Sequence, residues 1–209
     1  MARPRFDRLP TERQRAVLDA AAAEFASCGF DAASYNRIIA SAGISKGAMY
    51  YYFDDKADLF ATVIRRAVAD VFTAVGPLTP VVDADAFWHQ VEAKSQATLA
   101  VLAAQPRLGE VARTAYGEVT ATPTGPLAPL VDQLRTAATA VLIAGASIGA
   151  VRDDLPADLL ARVALCVGVA VDTWLVEQVD RHSPEALAQL GSTTANLLRA
   201  MLAPDQARR

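Results

Sequence analysis

Residues 34–53 read SYNRIIASAGISKGAMYYYF, and their reading decides the fold. Ser34 and Ser45 each stand just ahead of a short segment, where a side-chain oxygen can accept a hydrogen bond from a free backbone N–H at a helix start. Between the segments lies Ala42-Gly43-Ile44, and glycine there permits the positive φ of a tight helix–helix corner. Ile38, Ala42, Ile44 and Met49 are spaced to pack the two segments against each other. The stretch is therefore two short helices, Tyr35 to Ala42 and Ser45 to Phe53, joined by a tight turn.

Three of the chain's five tyrosines sit consecutively in the second helix. Helical residues advance about 100° each, so Met49, Tyr52 and Phe53 share one face and Lys46, Gly47, Tyr50 and Tyr51 point the other way. The first face has large apolar groups to bury. The second has none apart from its phenols, so burial does not explain it. In a helix-turn-helix the second helix is the one that enters a major groove. Gly47 would let backbone approach a duplex, Lys46 could reach a guanine edge or a phosphate, and phenol hydroxyls can donate to phosphates.

Outward from this stretch the punctuation is helical. Thr11-x-x-Gln14 has the pattern of a capping box; Val17, Leu18, Ala21, Ala22 and Phe25 follow at helical spacing up to Gly29. Asp55-x-x-Asp58 opens a fourth helix carrying Phe60, Ile64, Val68, Val71 and Val75, stopped by Gly76-Pro77. Further helices are expected over Asp85 to Gln105, through Tyr116 to Gly117, over Leu127 to about Ala150, and after Pro156 and Pro184, with TATPTGP (120–126) as a loop. No alternating strand pattern occurs. The expectation is an all-α chain of about nine helices.

The chain has 209 residues, 53% of them hydrophobic, and can bury a sizeable core. Its longest apolar run, Val163 to Val171, is too short to span a bilayer, and MARPRFDRLP lacks the apolar core of a signal peptide, so a cytoplasmic protein without a membrane partner is expected. Cys28 and Cys166 lie far apart with no ligand-spaced neighbours and read as small core residues, not metal ligands. The net charge is −3, yet residues 1–15 carry five arginines against Asp7 and Glu12, a local balance of +3. A basic arm on an acidic body suits a protein that offers one end to a polyanion. Residues 66 onward show no nucleophile–base pair, phosphate loop or HExxH motif, and His89 and His182 are the only histidines. An enzyme is not expected, and no cofactor.

The segment LDAAAAEFASCGFDAASYNRIIASAGISKGAMYYYFDDKADLF resembles the N-terminal domain of the tetracycline-repressor (TetR) family over roughly residues 11–65. The elements AAxxxF, GF, AGISKGxxYxYF and KxxLF recur in order. The resemblance implies DNA contacts from Ser34, Tyr35, Asn36, Ser45, Lys46, Gly47, Ala48, Tyr50, Tyr51, Tyr52 and Lys56. Two departures stand out: Ile39 replaces a residue that is usually small where the helices come closest, and Tyr35 adds bulk beside the phosphate strand. The implied organisation is a three-helix DNA-binding domain over residues 1–55, with its basic arm at 1–10, and a ligand-binding and dimerisation domain over 56–209 connected by the helix 56–75.

By the same resemblance the middle helices enclose a small-molecule pocket, for which the bulky polar-tipped Trp88, His89, Gln96, Arg113, Tyr116, Trp174 and Gln178 are candidates. A helix apolar nearly all round, Leu159 to Val171, must be covered on every side. With the stripe of the last helix it suggests half of a four-helix bundle completed by a second subunit. The expected interface is Leu160, Val163, Val167, Gly168, Val171, Leu187, Leu190, Thr194, Leu197 and Met201. The function so implied is a homodimeric regulator, a repressor released from a pseudo-palindromic operator when a small-molecule inducer binds. The rival is a helical binding or catalytic protein that uses the helix-turn-helix for packing only.

Overall fold

A computed structural model of the chain describes residues 4–104, 125–178 and 183–205. Among the described residues there are eight helices and no strand: α1 (Thr11–Ala32), α2 (Tyr35–Ser41), α3 (Lys46–Tyr52), α4 (Lys56–Val75), α5 (Ala84–Ala104), α6 (Ala128–Ser147), α7 (Ala157–Gln178) and α8 (Pro184–Leu202). The helix expected through Tyr116 lies outside the described residues.

Most helix starts are made by the short-range hydrogen bonds their residues suggest. Ser34 Oγ accepts from the N–H of Arg37, Ser45 Oγ from Ala48 and Ser183 Oγ from Ala186, at 3.1–3.3 Å. At α4 the arrangement is reciprocal: Asp55 Oδ1 accepts from the N–H of Asp58 at 2.8 Å, and Asp58 Oδ2 accepts from the N–H of Asp54 at 3.1 Å. The capping box expected at Thr11 is not formed. Pro10 occupies the cap position without a side-chain bond, and Gln14 Nε2 instead donates back to the carbonyls of Leu9 and Asp7. Gly29, at φ 71°, breaks the path of α1 as expected, but one further turn runs on to Ala32.

Three apolar clusters hold the helices. The first gathers Phe6, Val17, Phe25, Ile38, Met49, Phe53, Leu59, Phe60 and Ile64, so α4 closes the core of α1–α3; Leu127, just ahead of α6, and Val131 within it join the same cluster. The second centres on Phe87, Trp88, Leu142, Val151, Leu160 and Leu202, and the third on Leu99, Leu102 and Leu175. Ile39 is accommodated half-buried against the first cluster.

Glycine lets α5 and α8 meet closely. A Cβ on Gly191 would lie 2.7 Å from Gln96 Cα and 2.9 Å from its backbone N. Backbone cannot yield as a side-chain tip can. Gly191→Ala should therefore cost about 1–3 kcal/mol or more, measurable as a lowered urea midpoint. Gly168, expected at the dimer interface, meets nothing within 4 Å of a Cβ and borders a cavity.

The protomer itself buries much of the expected dimer face. Leu160 and Thr194 are buried, and Val171, Leu187 and Leu190 pack against Leu99, Leu102 and Leu175. The last helix lies on α5, so Leu187, Leu190 and Thr194 turn toward the protomer, and half-buried Val171 of α7 meets the same cluster. Val163 and Val167 are half-buried, while Leu197 and Met201 are exposed, and so are Leu159 and Trp174 of α7. The cysteines also depart from expectation: Cys28 is only half-buried and Cys166 is exposed.

Candidate nucleic-acid interface and cavity

Gly43, at φ 63°, makes the corner between α2 and α3. Ile38 and Met49 are completely buried behind it, with Ala42 nearly so, and Phe53 fixes the far end of α3 in the core. This packing determines what remains outside. Lys46, Gly47, Tyr50 and Tyr51 are exposed, the two tyrosines at 44% and 48%. Asn36 and Ser45 are exposed beside them, and Ala48 is half-buried. Ser34 and Ser45 use their oxygens as caps, which leaves each hydroxyl hydrogen to be donated elsewhere. A Cβ on Gly47 would approach only Ser45 Oγ, at 4.0 Å, so its outer side is open.

Three of the expected contact residues have a different setting. The hydroxyl of Tyr35 is buried and finds no hydrogen-bond partner among the described residues; burial pushes its ionisation well above the usual phenol range. Its ring stands edge-on to Tyr50 at 5.3 Å, so it supports a neighbour and presents no donor to the surface. Removing an orphaned buried hydroxyl should help folding. Tyr35→Phe is expected to raise stability by about 1 kcal/mol and to leave duplex affinity unchanged, checked by melting and by anisotropy titration. Lys56 Nζ donates to the carbonyls of Asp31 and Ala33 at 3.0 and 3.1 Å and lies 4.8 Å from the Phe30 ring centre. Two of its three N–H donors thus clamp the end of α1 to the start of α4. Tyr52 is half-buried, edge-on to Phe6 and Tyr51.

One structural clamp was not anticipated from the sequence. Glu24 of α1 receives the Nε–H of Arg37 at 2.9 Å and the N–H of Ser34 at 2.7 Å, fastening α2 to α1. The Arg37 guanidinium, then the Ser34 N–H, hold the Glu24 carboxyl down at about 2, from an ordinary 4.5. A carboxylate depressed in the folded state adds stability above its unfolded pKa and loses it as pH falls through the folded value. Wild type should therefore exceed Glu24→Gln in urea midpoint at neutral pH, and the gap should close between pH 4.5 and about 2.

Behind the interface α4, α5, α6 and α7 line an open-sided cavity of about 280 Å³. Its walls are apolar: Val68, Val71 and Phe72 of α4, Leu102 of α5, Leu130 and Leu134 of α6, and Leu165 and Val169 of α7, with Thr98 and Asp172 as its polar members. None of the described polar-tipped candidates lines it. Trp88 is buried with its Nε1–H on the carbonyl of Ala150 at 3.1 Å, and Gln96 donates to Ser192 Oγ at 2.9 Å. His89 and Trp174 are exposed and Gln178 is half-buried elsewhere, while Arg113 and Tyr116 lie outside the described residues. Ile64 belongs to this cavity and to the core of the helix-turn-helix alike.

An outward lysine and phenol face on a capped second helix, with an apolar cavity behind it, defines a helix-turn-helix domain set on a helical body. Residues 17–63 match the family described as bacterial regulatory proteins, tetR family. The HTH-type transcriptional repressor SCO4008 of Streptomyces coelicolor is 35% identical over 71 residues, 34% of this chain and 36% of that one. The HTH-type transcriptional activator FasR of Mycolicibacterium smegmatis is 36% identical over 72 residues, 34% and 33% of the two chains. The chain thus spans about a third of the length of the curated relatives it matches. A TetR family transcriptional regulator from Chloroflexus aurantiacus shares the fold, with a TM-score of 0.67 and 22% identity over 98% of this chain and 100% of that one. Residues 17–63 thus carry a tetR-family domain, and the likeness to the Chloroflexus protein extends over the fold of the chain.

Proposed function

We propose that this chain is a homodimeric transcriptional repressor that binds a pseudo-palindromic operator and leaves it when a small apolar molecule enters the cavity. The observation that carries this reading is the exposed Lys46–Tyr51 face, held rigidly from behind by Met49 and Phe53. Lys46, Gly47, Tyr50 and Tyr51 meet the major groove and its phosphates, with Ser34, Asn36, Ser45 and the remaining N–H of Lys56 at the flanks. Leu159, Trp174, Leu197 and Met201 are large apolar groups exposed on α7 and α8, and a second copy covers them. No helix among the described residues is long and apolar enough to cross a membrane; the reading places the protein in the cytoplasm, beside its DNA.

Coupling between cavity and DNA runs through α4. Its apolar face lines the cavity, and its first residue, Lys56, is fastened to the end of α1. A ligand that displaces this helix displaces the reading head, and a coupling of about 1–3 kcal/mol is enough for regulation. The test is selection of a duplex from a random-sequence library on the full chain, then titration with wild type and Lys46→Ala. The variant should bind the selected duplex more weakly and discriminate less against unselected DNA. Failure of wild type to enrich any duplex would defeat the proposal.

A further inference from the structure

Residues 4–9 are folded onto the recognition helix. Phe6 is 2% exposed, its ring 4.8 Å from that of Phe53 and 6.0 Å from that of Tyr52. The N–H of Leu9 donates to the carbonyl of Phe6 at 3.0 Å, and Gln14 Nε2 holds the carbonyls of Asp7 and Leu9 at 3.1 and 2.8 Å. The arm is thus anchored at three points, one of them in the core that fixes α3.

That anchoring sets the position of Arg5. Its guanidinium lies 4.4 Å from the centre of the Tyr51 ring, and both residues are exposed. A guanidinium over a ring spends its face there and keeps its N–H edge for an oxyanion such as phosphate. No carboxylate among the described residues forms a salt bridge with it. Tyr51 presents its hydroxyl on the face already assigned to DNA, so arginine edge and phenol form a composite donor site at the end of α3.

We infer that Arg5 is a backbone-phosphate contact of this protein, presented on the Tyr51 ring, and that Phe6 is the positioning residue that holds it there. The inference rests on the DNA-binding reading and extends the contact surface from the helix-turn-helix to the arm. The rigid anchor is the essential point, because a free tail would lose conformational entropy when it met the duplex. Here folding has already ordered it.

The experiment titrates a duplex selected on the wild-type full chain, over a range of salt, with Arg5→Ala, Arg5→Lys, Phe6→Ala, Phe6→Leu and the Phe6→Ala/Arg5→Ala double variant. Arg5→Ala should weaken binding roughly 3- to 10-fold at moderate salt, reduce the salt slope by about one and melt like wild type. Arg5→Lys should keep the slope. Phe6→Ala should match Arg5→Ala in affinity and slope, the double variant should add little, and Phe6→Leu should restore both. Wild-type affinity and slope in Arg5→Ala would overturn the Arg5 contact, and a Phe6→Ala loss fully additive with that of Arg5→Ala would overturn the positioning role. A wild-type chain that selects no duplex would instead overturn the underlying reading.

Discussion

Phe53→Ala is expected to remove about 3–5 kcal/mol of folding stability, while Tyr50→Phe and Tyr51→Phe leave the melting temperature where it was. Phe53 is completely buried at the end of α3, against Phe6 and within the core shared by α1, α3 and α4. Its truncation opens a cavity that the surrounding core cannot fully collapse into. Tyr50 and Tyr51 lie one and two positions beyond Met49 on the opposite side of the same helix, and each loses only a hydroxyl. A phosphate hydrogen bond lost there weakens duplex binding by about 0.5–1.5 kcal/mol, a several-fold effect. Melting temperature and duplex affinity should therefore separate cleanly across Phe53, Tyr50 and Tyr51. If the phenylalanine variants melt lower and bind DNA as wild type does, these tyrosines are packing residues and the interface lies elsewhere.

The helix-turn-helix was legible because its determinants are local. Ser34, Ser45 and Asp55 each cap a helix through an N–H three residues away, and Gly43 turns the chain within a single residue. What depended on distant partners was not legible. Trp88 and Gln96 look like pocket residues because they carry polar tips, but those tips are satisfied by Ala150 and Ser192, far along the chain. The cavity is lined by valines and leucines that no local pattern separates from core. Thr11 and Gln14 have the right spacing for a capping box, yet the arm takes Gln14 first. Gly168 and Gly191 look alike in sequence; only the second faces a backbone.

The same distinction between inward and outward stripes sets the outcome for the subunit interface. Leu190 and Leu197 both lie on α8, seven residues apart, and sequence periodicity gives them the same role. In the structure Leu190 packs on Leu99, Leu102 and Leu175 within the protomer, whereas Leu197 is 50% exposed. Leu190→Glu should therefore damage the fold itself, because an unpaired carboxylate in that cluster costs several kcal/mol. Leu197→Glu should leave the protomer folded and act on association. A two-fold interface would receive the new charge twice, so like charges add to the lost apolar burial. Sedimentation should show Leu197→Glu as a monomer with native helix content and a melting profile that no longer shifts with concentration, and its duplex binding should collapse because one reading head is left. A Leu197→Glu chain that stays dimeric at all concentrations would move the interface off this end of α8, while an equally unfolded pair of variants would mean that Leu197 belongs to the protomer core after all.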